Sequence, residues 1–141
     1  MTSTIMKKLT SIIIVAMIVM AVQGQVNKDN LITLKTDTTE EANYKLFGKH
    51  LIDQGYHITG NEWGQLVTSY RGAEDTTIEY QLFVTFSGSD IRITCHFKYH
   101  TLYGEMDTDW QYKSSRTDFN NIVYRDFIKR IQYGEVTFSR Q

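Results

Sequence analysis

The chain has 141 residues, with 15 Lys and Arg against 16 Asp and Glu, one cysteine and no proline. A near-neutral balance with no basic stripe excludes the electrostatic footprint of a nucleic-acid binder. One cysteine excludes an internal disulfide framework, so the chain must fold on its apolar core alone.

The first element is not part of a fold. Lys7 and Lys8 precede an uncharged apolar run, Leu9 to Val22, followed by small and polar residues. This is the layout of a secretory signal peptide, and fourteen residues fall short of the ~20 that span a bilayer. Cleavage is expected after Gly24, giving a signal peptide over 1–24, with an uncleaved anchor as the alternative. "MKKL" at Met6 is a second candidate start. Export without a cysteine next to the apolar run argues against a lipid anchor. Without Lys7 and Lys8 the balance is 13 basic side chains against 16 acidic, a net of −3. About 117 residues remain, the size of one domain: a polar leader over 25–30 and a single domain over 31–141.

"LITLKT", from Leu31, reads as a first strand. "TTEE", Thr38 to Glu41, matches a capping box, and Ala42, Leu46, Phe47, His50 and Leu51 follow at helical spacing. Gly55 supplies the left-handed stop. The period then changes to two. "YHIT" and "QLVTSYR" flank the turn "GNEWG", and Thr77–Phe86 and Ile91–His100 flank "SGSD", so two hairpins are expected. "GEMDTD" reads as an acidic loop and "WQYK" as a short strand. A last helix starts near Ser115 or Thr117 with Asp118 in its first turn. Its apolar face is Phe119, Ile122, Val123, Phe127 and Ile131, and Gly134 stops it. "EVTFS" adds an edge strand. The order β-α-β-β-β-β-α predicts a two-layer α+β domain: an antiparallel sheet of four to six strands with two helices on one face. Its core face carries Ile78, Tyr80, Leu82, Val84, Phe86, Ile91, Ile93, Cys95, Phe97 and Tyr99.

The stretch "RITCHFKYH" places the only cysteine beside two histidines. Neighbours on a strand face opposite ways, so Cys95 points inward and His96 and His100 outward. Those histidines lie roughly 13 Å apart along the strand, too far to share a zinc ion whose ligands sit at ~2 Å. Lys98 stands between them. Cys95 is expected to be a buried small hydrophobe, His50 a hydrogen-bonded core residue, and His57 exposed. Glu105, Asp107 and Asp109 alternate as calcium ligands would, but lack the twelve-residue loop; a solvated loop is expected. Glu40 with Glu41 reads as a cap, and Glu74 with Asp75 as a turn. No GxSxG, HExxH, P-loop or dinucleotide fingerprint occurs, and no cofactor is expected.

The outward sheet face draws the functional expectation. Glu79, Phe83, Arg92, His96 and Lys98 form either a ladder of cross-strand charge pairs or a binding face with an aromatic anchor in a charged rim. Trp63 and Trp110 would extend it unless they fold back onto the core.

The run "GYHITGNEWGQLVTSYR", the following strand, "SGSDIRITCHFKYH" and a closing helix resemble small exported domains of unknown function from Bacteroides-type bacteria, over Leu31 to Ile131. The resemblance implies a TBP-like fold and no catalytic motif. The chain is more weakly similar to helix-grip domains of outer-membrane assembly lipoproteins, and departs from them in lacking the anchoring cysteine. The expected function is an exported, periplasmic or secreted, non-enzymatic interaction module that acts through its open sheet face on a protein partner in the cell envelope, with no stable membrane span after cleavage. The alternative is a small hydrolase or metal-dependent enzyme using His96 or His100 with loop carboxylates; a small-ligand carrier is a third.

Overall fold

The computed structural model describes residues 29–140 except 63, 75, 116 and 134. The expected signal peptide, most of the polar leader, Trp63, Asp75 and Gly134 lie outside the described residues. In chain order the elements are β1 (Leu31–Lys35), α1 (Glu40–Asp53), β2 (Ile58–Glu62), β3 (Gln65–Thr68), β4 (Arg71–Gly72), β5 (Glu79–Ser87), β6 (Asp90–Thr101), β7 (Gly104–Asp109), α2 (Phe119–Ile131) and β8 (Glu135–Ser139). Among the described residues the fold is α+β, with one antiparallel sheet and two helices. The sheet has eight strands, not four to six.

β5 and β6 form the centre, paired from Glu79↔Lys98 to Ser87↔Asp90. Period-two patterning drives this pair: Tyr80, Leu82, Val84 and Phe86 are buried, as are Ile91, Ile93, Cys95 and Phe97. Both helices cover that face. Phe47 and Leu51 of α1 and Val123, Phe127 and Ile131 of α2 are buried against it. Fully burying each large side chain is worth ~1.5–3 kcal/mol before entropy. Tyr99, expected in the core, is only half-buried.

Two departures from the sequence expectation enlarge the sheet, and a third removes an expected strand. "QLVTSYR" is broken into β3 and β4 because the Leu82 amide donates to Thr68 Oγ1 at 2.9 Å. A side chain thus replaces the backbone partner, and Ser69 and Tyr70 leave the ladder. "GEMDTD" is a strand, β7, in register with the second half of β6 from His96↔Asp109 to Thr101↔Gly104. β1 takes the first half of β6 along the same edge, and β8 takes the outer edge of β1. "WQYK" is irregular. Trp110 Nε1–H donates to the Asn120 carbonyl and the Gln111 amide to Asn120 Oδ1, which ties the segment to α2 rather than to a strand.

Both helix starts shift. Thr39, not Thr38, caps α1, accepting from the Ala42 amide at 3.2 Å. The Thr38 hydroxyl is engaged by Asn43 Oδ1 instead, and Thr36 joins the same buried side chain. Asp118 caps α2, accepting from the Asn120 amide, rather than sitting inside the first turn. Leu46, expected on the apolar face of α1, is exposed. Gly55 stops α1 at φ +90°, where a Cβ is penalised. Among the described residues no helix is long and apolar enough to cross a membrane.

Candidate functional site

Where β5 and β6 turn one side inward, they turn the other out. Glu79, Gln81, Phe83 and Thr85 stand on the outward face of β5. They lie opposite Lys98, His96, Thr94 and Arg92 of β6. The five residues singled out from sequence therefore share one face, spread over ~20 Å of strand. Neither Phe83 nor His96 is buried, and Arg92 is exposed beside Thr33 of β1.

β7 completes the face with a row of carboxylates. Asp109, Asp107 and Glu105 stand opposite His96, Lys98 and His100. His96 Nδ1 lies 3.0 Å from Asp109 Oδ1 and its Nε2 lies 3.5 Å from Asp107 Oδ1. Both ring nitrogens are thus turned to carboxylates, leaving neither aimed at an incoming substrate. His100 Nε2 stands 3.7 Å from Glu105. Lys98 Nζ reaches across the other seam to Glu79, at 3.4 Å, and sits 4.2 Å from the Tyr70 ring centroid, a cation–π contact. Partial desolvation pulls the Lys98 pKa down, but the Glu79 hydrogen bond and the Glu105 and Glu79 charges outweigh it and raise the pKa.

Cross-strand charge pairing is therefore present on this face. The expected loop carboxylates do meet the histidines, but from a strand. Among the described residues no three His, Cys, Asp or Glu side chains converge to hold a metal ion. Trp110 does not extend the face. It is buried, stacked on Tyr124 and edge-on to Phe127. Cys95 is buried as expected, and burial followed by the Asp109 charge pushes its thiol well above the ordinary value. His50 is half-buried with Nε2 at 2.8 Å from the Arg130 carbonyl, and His57 is exposed.

A second polar cluster, missed from sequence, lies inside the core. Asp126 is 2% exposed. It accepts from Tyr80 Oη at 2.6 Å and from the Glu74 amide at 3.1 Å. The Tyr56 and Tyr80 hydroxyls lie 2.7 Å apart; since Tyr80 donates to Asp126, Tyr56 donates to Tyr80. Arg130 Nε stands 3.4 Å and Arg71 Nε 3.8 Å from the carboxylate, and neither Nε makes a hydrogen bond among the described residues. Burial pushes the Asp126 pKa up, but the Tyr80 hydroxyl, the Glu74 amide and the Arg130 and Arg71 charges prevail and hold it low. Burial above all, then Tyr56 and Asp126, drives the Tyr80 hydroxyl far above the usual tyrosine range. The cluster joins β4, β5 and α2. Its signal was present in the sequence: Asp126 falls three residues after Val123 and beside Phe127, on the apolar stripe of α2.

Comparison with protein-family models, with curated proteins and with solved structures finds no match to this chain.

Proposed function

We propose that the protein is an exported, non-enzymatic interaction module that engages a protein partner of the cell envelope through the outward face of β5, β6 and β7. Glu79, Phe83, Arg92, His96 and Lys98 are the contact residues. One observation carries the reading: Phe83 stands incompletely covered at the centre of a charged sheet face while both helices pack on the other side. An aromatic side chain ringed by polar groups is how interface centres are built. The paired charges around it favour register and partner choice over raw affinity. The dibasic start and apolar run at Leu9–Val22 support export. The α+β order supports the TBP-like arrangement as the finer fold description.

The test is crosslinked capture from native envelope fractions, with wild-type chain and the double variant Phe83→Ala, His96→Ala as baits. A partner held by wild type and lost by the variant supports the reading. A partner held equally by both overturns it.

A further inference from the structure

Two features of the surface, far apart in sequence, complement each other. The first is the tip of the β6–β7 hairpin. Leu102 is 100% exposed and Tyr103 97%, with Met106 also exposed one step along β7. Two fully solvated large side chains at a turn are an anchor without a socket. The turn itself is held in shape: Thr101 Oγ1 donates to the Gly104 carbonyl at 3.0 Å and accepts from the Tyr103 amide at 3.1 Å. Gly104 takes φ +114°, which only glycine adopts freely. Behind the tip stands a collar of two carboxylates, Glu105, turned to His100 at 3.7 Å, and Asp107, turned to His96 at 3.5 Å.

The second feature is a groove between one flank of α1 and the β2–β3 hairpin, of ≈ 630 Å³, within the ~300–1,000 Å³ of ordinary binding clefts. Its floor is apolar. At Gly48 the helix borders the hairpin, where a Cβ would stand in ordinary contact, 3.4 Å from Leu66 and 4.0 Å from Ile58. Among the described residues its lining includes Lys45, Lys49 and His57 and no carboxylate. Lys45 pairs with Glu41, while Lys49 makes no ion pair among the described residues. The tip is an apolar anchor with an acidic collar; the groove is an apolar floor with a basic rim. The exposure of Leu102 and Tyr103 shows that the tip does not occupy the groove of its own chain.

We propose that the β6–β7 tip of one copy docks in the α1/β2–β3 groove of a second copy. The two surfaces differ, so the contact is heterologous and propagates head to tail until it closes into a ring or runs open. A tip in a groove is a small interface, and the association is correspondingly weak and reversible. The collar carboxylates belong to the β7 row that borders the sheet face, but the test changes neither Phe83 nor His96, so the two readings fail separately.

The test is sedimentation velocity on protein produced from the full chain, over about 10 µM to about 1 mM, where weak complexes of this affinity are populated. Wild type is expected to grow in mass with concentration. Leu102→Ser with Tyr103→Ser, and separately Lys45→Glu with Lys49→Glu, are each expected to weaken association at least tenfold. All four residues are exposed, and only Lys45 among them is seen in an ion pair, with Glu41; circular dichroism confirms that each variant remains folded. Mixing the two variants is decisive: one retains a groove and the other a tip, so together they restore a 1:1 complex that neither makes alone. A monomer throughout the range overturns the proposal, as does association unchanged by either pair, or a mixture that stays monomeric. Tip-dependent binding to neutral vesicles without self-association would also overturn it and assign the tip to a lipid surface.

Discussion

Replacing Asp126 by Asn keeps the shape of the side chain and removes its charge. The carboxylate is buried, accepts from Tyr80 and the Glu74 amide, and faces two guanidinium groups. Hydrogen bonds to a charged group are worth ~1.5–3 kcal/mol, and breaking a buried ion pair by removing one partner costs ~3–5 kcal/mol. The Arg71 and Arg130 side chains are 24% and 27% exposed, so water screens part of their loss. The expected destabilisation is then ~2–4 kcal/mol. With a urea slope of ~2 kcal/mol/M, the middle of the usual range, the unfolding midpoint falls by about 1–2 M. Acid adds an independent signature. The folded carboxyl titrates below its ordinary 3.8. Its contribution is therefore complete above that value and is lost as pH falls through the folded pKa. Wild type should weaken on acidification below about pH 4 more steeply than Asp126→Asn, the two converging at low pH. A midpoint loss worth under ~0.5 kcal/mol, the range of ordinary surface changes, would refute the view that this cluster holds α2 to the sheet.

Other consequences are read with simpler assays. Gly48→Ala should stabilise by ~0.5–1 kcal/mol in thermal unfolding, because helix propensity gains and the new Cβ meets Leu66 at an ordinary 3.4 Å; destabilisation would mean that the helix and hairpin are packed more tightly than this spacing implies. Trp110→Ala should cost ~3–5 kcal/mol, since the indole is buried between Tyr124 and Phe127 and donates to Asn120; a loss below ~1 kcal/mol in chemical denaturation contradicts its core placement. The Cys95 thiol, buried and with its pKa raised, should resist alkylation at neutral pH in the folded protein and react fully in denaturant; rapid native labelling would count against its burial.

The central hairpin was legible because its signal is strong: Thr77–Phe86 and Ile91–His100 each alternate, with the turn "SGSD" between them. β7 was not. Gly104, Glu105, Asp107 and Asp109 have poor strand propensity, and what recruits them is the facing row His96, Lys98 and His100, a tertiary effect that single-segment reading misses. Their alternation was nonetheless the strand period, visible once charge was counted as patterning. Leu46 sat at helical spacing yet faces solvent, while Asn43 and Gly48 occupy buried positions; hydrogen bonding by the one and close approach by the other replaced hydrophobicity as the reason for burial. The five face residues were legible as one outward row. Their partners on β7 and Tyr70 were not, since Tyr70 reaches Lys98 only through the break between β3 and β4.

The most direct measurement on the proposed sheet-face function is photo-crosslinking in cells expressing the full chain. A photoreactive residue is placed in turn at Phe83, at Lys98, and at Lys129, which is exposed on α2 in the opposite layer. The account predicts one and the same protein adduct from Phe83 and Lys98 and none from Lys129. An adduct formed equally from Lys129, or none from either face position, would contradict it.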